Sequence, residues 1–167
     1  ALPLEVLDQV VEIGRIAREL ENSGWDGLSV GEAHAILPDP YAALAVAAVN
    51  TTRLRLGTAV AVPLRSPLLA ASAMQSIQAI SGGRAAFSVG RGDGAMKVME
   101  REPMTLERYT AYLRELLWLL RGEEIEVDGA PVSMARMPVI DSSFDVPRPH
   151  VDVAATGPRM IATAATI

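Results

Sequence analysis

The sequence predicts an α/β fold with parallel strands, and three features carry that expectation. Leu54 to Val60 alternates and then runs apolar, as a buried strand does. Ser66-Pro67 then sets a capping hydroxyl before a first-turn proline and opens a helix over Leu68 to Ile80, which Gly82 and Gly83 end. Ala85 to Val89 is a second short apolar strand, closed by Gly90-Arg91-Gly92. A strand, a helix and a strand with tight joints form a β/α unit, whose strands pair in parallel. In such folds ligands bind where the carboxyl ends of strands pass into loops.

Composition bounds the rest. The chain has 167 residues, half of them apolar, and a net charge of -5. That is enough apolar material for a sizeable core and not the composition of a disordered chain. No basic cluster exceeds a pair, so nucleic acid is a poor partner. The chain contains no cysteine, which removes disulfides, thiolate nucleophiles and thiolate metal ligands. No stretch reads as a secretory leader, and no apolar run approaches the ~18 residues of a membrane span. The expectation is a cytoplasmic protein with a small-molecule substrate.

Taken in order, Pro3 to Glu21 reads as an amphipathic helix with Leu7, Val10, Val11, Gly14, Ala17 and Leu20 on the buried stripe. Gly14 implies close packing, expected against the sheet. Asn22-Ser23-Gly24 stops the helix, and Trp25 to Val30 is a short strand. Beyond its carboxyl end lie Gly31, Glu32, Ala33 and His34. A histidine placed there titrates near neutrality and is the best acid/base candidate of the two in the chain; the competing reading is a loop histidine with a satisfied hydrogen bond. Asp39 caps, and Pro40 opens, an alanine-rich helix over Tyr41 to Val49 whose apolar surface is covered on most sides.

Arg65 follows the next strand and either braces its loop or reaches an anion. Gln75 and Gln78 interrupt the following helix and read as surface positions. Arg84 starts its strand on the structural side and reads as a salt-bridged scaffold residue. Gly90-Arg91-Gly92-Asp93-Gly94 is suited to an anion-holding nest, but it matches neither a dinucleotide fingerprint nor a P-loop. Lys97, Glu100, Arg101 and Glu102 read as a polar, lid-like loop. Thr105 caps a helix over Leu106 to Leu120, with Leu106, Tyr109, Leu113, Leu116, Leu117 and Leu120 inward. Glu123 to Val127 is extended and meets an Asp128-Gly129 turn, and residues 130–149, with four prolines, read as an irregular connection. His150 precedes the strand Val151 to Ala154 and has no predicted chemistry. Neither histidine has a convergent ligand set, so no metal site is expected. Ala155-Thr156-Gly157-Pro158 opens a helix whose free N–H groups favour an anion.

The run RLRLGTAV, the proline and arginine beyond it, and SIQAISGGRAAFSVGRG together resemble the luciferase-like monooxygenase superfamily. The nearest branch is the methylenetetrahydromethanopterin reductase-like, F420-dependent oxidoreductases, and the resemblance extends from Val11 to Ile167. It implies a (β/α)8 TIM barrel, of which this chain covers about the first half, from strand 2 to the start of helix 5, as one partial domain. A whole barrel takes about 250 residues. The shortfall leaves two expectations, part of a larger enzyme or a half-barrel that needs a partner. The hazard of two bare sheet edges favours the first.

The resemblance also implies hydride transfer between coenzyme F420 and an organic substrate. The alternatives are an FMN-dependent monooxygenase of the same superfamily and a truncated, non-catalytic binding module. It places His34 near the cofactor ring in proton handling. Ala33 stands where the family carries an aspartate, and Glu32 substitutes only if turned inward. It implies a bulge and a non-prolyl cis peptide at Ala59-Val60, after Thr58, backing the ring. Gly90, Arg91, Gly92 and Asp93 would meet the ribityl and phosphate portion, and Ala155, Thr156, Gly157 and Pro158 the phosphate. Homodimerisation near the alanine-rich helix is a further implication.

Overall fold

The computed structural model describes residues 4–33, 36–134 and 146–167. The chain begins with α1 (Leu4–Asn22), β1 (Gly27–Val30), α2 (Pro40–Asn50), β2 (Arg55–Thr58) and α3 (Pro67–Ile80). It continues through β3 (Ala86–Val89), α4 (Asp93–Val98) and α5 (Leu106–Leu120). The last elements are β4 (Ile125–Val127), β5 (Ala130–Val132), β6 (His150–Val153) and α6 (Pro158–Ala164).

Local chemistry explains where the helices start. The Asp39 carboxylate accepts from the Tyr41 and Ala42 amides at 3.0 and 3.1 Å and caps α2, with Pro40 in the first turn. The Ser66 and Thr105 hydroxyls do the same for α3 and α5, accepting from Leu69 and Arg108.

β1 pairs in parallel with β2, and β3 with β6. Isolated parallel bridges Leu56–Ala85 and Ala61–Val89 join β2 to β3. The four strands thus stand side by side in the order β1, β2, β3, β6, and both outer edges are open among the described residues; no closed eight-stranded barrel is formed by them. Five residue steps separate Leu56 from Ala61, but only four separate Ala85 from Val89. The extra residue is a bulge on the β2 side, and the Ala59–Val60 peptide within it is cis. Gly57 is required just before it, because a Cβ there would lie 1.7 Å from the Ala86 carbonyl oxygen.

One core lies between the sheet and the helices, built on Leu44, Leu54, Leu56, Met74, Phe87, Leu113 and Leu116. Tyr109 is fully buried in it and its hydroxyl donates to the Val89 carbonyl at 2.7 Å. Inward from α5 come Tyr109, Tyr112, Leu113, Leu116, Leu119 and Leu120, while Leu117 is only half-buried.

Several predicted details change. Val11 is 73 % exposed rather than on the buried stripe of α1. The close approach at Gly14 is to α2, not to the sheet: a Cβ would meet Asn50 Nδ2 at 2.7 Å and Val46 Cγ1 at 3.1 Å. The small-residue stripe of α1 therefore seats on a helix, which leaves the neighbouring valine outside. Gln75 and Gln78 are buried, not surface residues. Gln78 accepts from the Ala85 amide and donates to the Pro147 carbonyl, both at 2.8 Å, and so satisfies backbone groups that lie just ahead of β3 and β6. Lys97 belongs to α4 rather than to a loop. Ala130 to Val132, read as the start of the irregular connection, pairs antiparallel with β4 across Asp128 and Gly129, both at positive φ. Residues 135–145 of that connection lie outside the described residues.

The amino ends of the strands are closed by saturated polar contacts. Glu21 accepts from the amides of Thr52, Arg53 and Leu54 at 2.9, 2.5 and 2.8 Å. These backbone bonds, that from Arg53 foremost, hold its carboxyl down at about 2. Arg84 is a scaffold residue, as predicted, but its partners are not carboxylates. It donates to the carbonyls of Ala48, Thr51, Leu54 and Ser81 and to the Thr51 hydroxyl. The guanidinium fork matches five oxygens that three elements present at once.

Candidate functional site

The carboxyl ends of the strands surround a cavity of about 380 Å3. Gly31, Glu32 and Ala33 line it from the loop after β1, and Ala59, Val60 and Val62 from the bulge after β2. Gly90, Arg91, Gly92 and Asp93, with Gly94 and Ala95, come from the loop after β3, and Ala154 and Thr156 from the turn after β6. Four separate βα joints thus meet at one place, which is what parallel pairing in register requires.

Each wall has a local cause. Gly90 leaves room for Val60, since a Cβ would fall 2.7 Å from Val60 Cγ2. Gly92 takes a left-handed conformation, φ 77° and ψ 31°, immediately before α4, and a Cβ there would meet Val62 at 2.7 Å. The Ala61 and Gly90 backbones exchange hydrogen bonds with β3 and β2 around the bulge: Ala61 N–H donates to Ser88 at 2.8 Å and Gly90 N–H to Ala61 at 2.9 Å.

Glu32 is buried and turned inward. Its Oε2 accepts from the Val62 amide at 2.6 Å, and its Oε1 lies 3.7 Å from Arg65 Nε. Arg65 also pairs with Asp39 and lies 5.0 Å over the Tyr41 ring, so it braces the loop rather than lining the cavity. Burial first, and then the nearby Glu32 carboxylate, push the Tyr41 and Tyr112 phenols well above the usual range, which keeps both protonated. Arg91 faces Asp93 at 3.6 Å, and its Nε is buried without a hydrogen-bond partner among the described residues.

The predicted site residues divide. Glu32, Ala59, Val60, Gly90, Arg91, Gly92, Asp93 and Thr156 line the one cavity. Thr58 lies behind its wall, 1 % exposed, with its hydroxyl donating to the Ser88 carbonyl at 2.8 Å. Ala155, Gly157 and Pro158 flank Thr156 without lining the cavity; Gly157 has φ 87° and precedes α6. His34 lies outside the described residues. Sequence reasoning missed Val62, Ala154, Gly31 and Ala95. Ala154 follows the end of β6 directly, which is the signal that would have found it, whereas Val62 lies four residues past the end of β2, beyond the bulge, and no local signal marks it.

A larger hollow, about 480 Å3, lies along the open side of β6 between Leu117, Leu120, His150 and Ile167. It gathers no glycine loops, and its His150–Asp152 pair, 2.9 Å apart, is exposed. Among the described residues no group of three or more histidines and carboxylates could hold a metal ion, and no helix is long and apolar enough to cross a membrane.

Comparison with known proteins agrees with this architecture. The 5,10-methylenetetrahydromethanopterin reductase of Methanolobus tindarius is 30 % identical over 165 residues, covering 96 % of this chain and 49 % of the relative. The chain therefore spans about half the length of the curated relative it matches. The coenzyme F420-dependent tetrahydromethanopterin reductase of Methanopyrus kandleri superposes with a TM-score of 0.71 at 23 % identity, over 95 % of this chain and 50 % of that one. The oxygenating constituent of 3,6-diketocamphane monooxygenase from Pseudomonas putida, solved with FMN, superposes at 0.63 and 17 % identity, over 86 % of this chain and 46 % of that one. Together with the family match over residues 5–167, these likenesses of fold relate the open α/β sheet to the TIM-barrel luciferase-like superfamily. Residues 5–167 match the family described as luciferase-like monooxygenase, and the chain belongs to that family.

Proposed function

We propose that the protein is an oxidoreductase that holds a phosphorylated ring cofactor, F420 or FMN, in the mouth formed by the carboxyl ends of β1, β2, β3 and β6. One observation carries this reading: four βα joints converge on a single cavity that contains both the Ala59–Val60 bulge and the Gly90–Asp93 loop. Its volume of about 380 Å3 falls in the range of about 300–1,000 Å3 usual for small-molecule sites.

The residues present fit such a group. Ala59 offers a wall of backbone and methyl beside Val60, suited to a flat ring. Gly90 and Gly92 bring backbone close where side chains would intrude. The Arg91 guanidinium and the left-handed turn at Gly92 suit a phosphorylated tail. On this reading Ala59 and Val60 back the ring, with Thr58 supporting them from behind. Gly90, Arg91, Gly92 and Asp93 hold the tail, and Ala155, Thr156, Gly157 and Pro158 hold its phosphate. When bound, the cofactor supplies the two-electron redox chemistry, while the chain orients it and excludes water. His34 handles a proton at the ring edge. Glu32, whose carboxylate accepts a backbone N–H, shapes the wall. The reading includes a homodimer through the face of α2 that carries the exposed Val49.

F420-dependent hydride transfer is supported by the coenzyme F420-dependent reductase of M. kandleri, whose fold superposes on nearly the whole chain, and by the sequence likeness to the M. tindarius reductase. FMN-dependent oxygenation is supported by the family's own description and by the FMN-bound neighbour. Parallel fluorescence titration of the protein with F420 and with FMN tests the proposal. Tight binding of one cofactor alone selects that reading. Binding of neither overturns the assignment in favour of a non-catalytic binding module.

A further inference from the structure

We infer that Arg65 is a positioning residue: it sets the shape of the cofactor wall through Glu32 and couples that wall to the start of α2. The inference rests on the cofactor reading above only for its binding readout.

Arg65 stands outside the cavity, 30 % of its side chain exposed, between two carboxylates from opposite ends of the connection between β1 and α2. One is Asp39, which performs two tasks with its two oxygens. Oδ1 accepts from the first amides of α2, and Oδ2 takes the Arg65 guanidinium. The other is Glu32, whose side chain is fully buried. Its Oε2 holds the Val62 N–H at 2.6 Å while its Oε1 faces Arg65 Nε at 3.7 Å. Val62 and Glu32 both line the cavity, on either side of the bulge that contains Ala59 and Val60.

A carboxylate without exposed surface takes its direction from the positive charges and hydrogen-bond donors packed against it. Arg65 is a cation facing Glu32, and the Val62 amide is a donor to it. Among the described residues the Arg65 Nε is buried without a hydrogen-bond partner, so it acts on Glu32 through charge across the 3.7 Å gap. The guanidinium is held in place from its other end by Asp39 and from its face by the Tyr41 ring, 5.0 Å away. The chain of contacts therefore runs from the cap of α2, through Arg65, to Glu32 and the Val62 amide. A phosphate-seeking or merely exposed arginine would not be clamped on three sides.

The experiment uses Arg65→Met, Arg65→Lys, Glu32→Gln and the Glu32→Gln/Arg65→Met pair. The first readout is backbone hydrogen exchange at Val62, which needs no cofactor. Arg65→Met should speed it at least tenfold, and Arg65→Lys, which keeps the charge but not the fork, should recover part of the protection. The second readout is the dissociation constant of FMN and of F420. Arg65→Met should weaken whichever cofactor the wild type binds by about tenfold, and the pair should bind no worse than Glu32→Gln alone. Val62 protection unchanged in Arg65→Met overturns the inference, as does additive weakening in the pair. If Arg65→Met does not fold, unchanged Val62 exchange in Arg65→Gln, which removes the charge and keeps a polar side chain, overturns it equally. A wild type that binds neither cofactor sinks the functional reading, while the Val62 exchange still decides the role of Arg65.

Discussion

The two ends of the parallel sheet are built on opposite terms. At the amino ends, Glu21 takes three successive backbone amides and Arg84 gives hydrogen bonds to four carbonyls and a hydroxyl. At the carboxyl ends the backbone opens around a cavity, glycines stand where side chains would collide, and Arg91, which lines the cavity, has a buried Nε with no hydrogen-bond partner among the described residues. Saturated polar contacts hold the strands together at one end, which lets the other keep groups turned toward a ligand. Changes at the amino ends should therefore cost stability, and changes at the carboxyl ends should cost binding.

The largest departure from that division is expected at Gly57, which joins both ends. Gly57→Ala places a methyl 1.7 Å from the Ala86 carbonyl oxygen, and backbone must move to admit it. Overpacking of this kind should cost on the order of 3 kcal/mol or prevent folding, and urea denaturation measures it. Replacing Arg84 by Met leaves several backbone carbonyls without their donor. A loss of about 3 kcal/mol in the same assay is expected, with cofactor affinity unchanged once the protein is folded. An equal loss of affinity would erase the contrast between the ends.

Gly90→Ala probes the open end. The added methyl meets Val60 Cγ2 at 2.7 Å, so cofactor affinity should fall at least about tenfold, equivalent to roughly 1.4 kcal/mol. Its stability should fall by less than that of the Arg84 variant. The smallest effect is a pH dependence. Glu21 is held at about 2, below its ordinary 4.5, so the folded form binds fewer protons there than the unfolded form. Its contribution is complete above the ordinary carboxylate pKa and is lost as pH falls from about 4.5 toward about 2. Glu21→Gln should flatten that part of the acid denaturation curve.

Helix α5 shows how much of the fold was legible. Its bounds, Leu106 to Leu120, follow from a capping threonine, a period of 3.6 and a terminal Arg-Gly. The cap of α2 and the prolines opening α2, α3 and α6 are equally local. The cis peptide at Ala59–Val60 was legible only through family resemblance, because nothing in that dipeptide itself asks for it. Gln78 was misread, since its partners at Ala85 and Pro147 are brought near by the parallel crossover and not by sequence spacing.

The site divides along the same line. The glycine words after β3 and β6 named their loops in advance, and Thr156 and the Gly90–Asp93 run do line one cavity. Gly157, the N-cap of α6, and Pro158, its first residue, stand beside the cavity without lining it.

The sequence by itself determined where the chain turns, caps and extends, since those choices are made within about four residues of each position. It also determined that several glycine-bearing joints follow strands. Only the tertiary structure decided that Glu32 points inward to the Val62 amide, 30 residues away, and that Arg65 lies between Glu32 and Asp39. A buried charge takes its direction from whichever donors and opposite charges the packed elements bring to it, and that geometry does not exist before the strands are side by side.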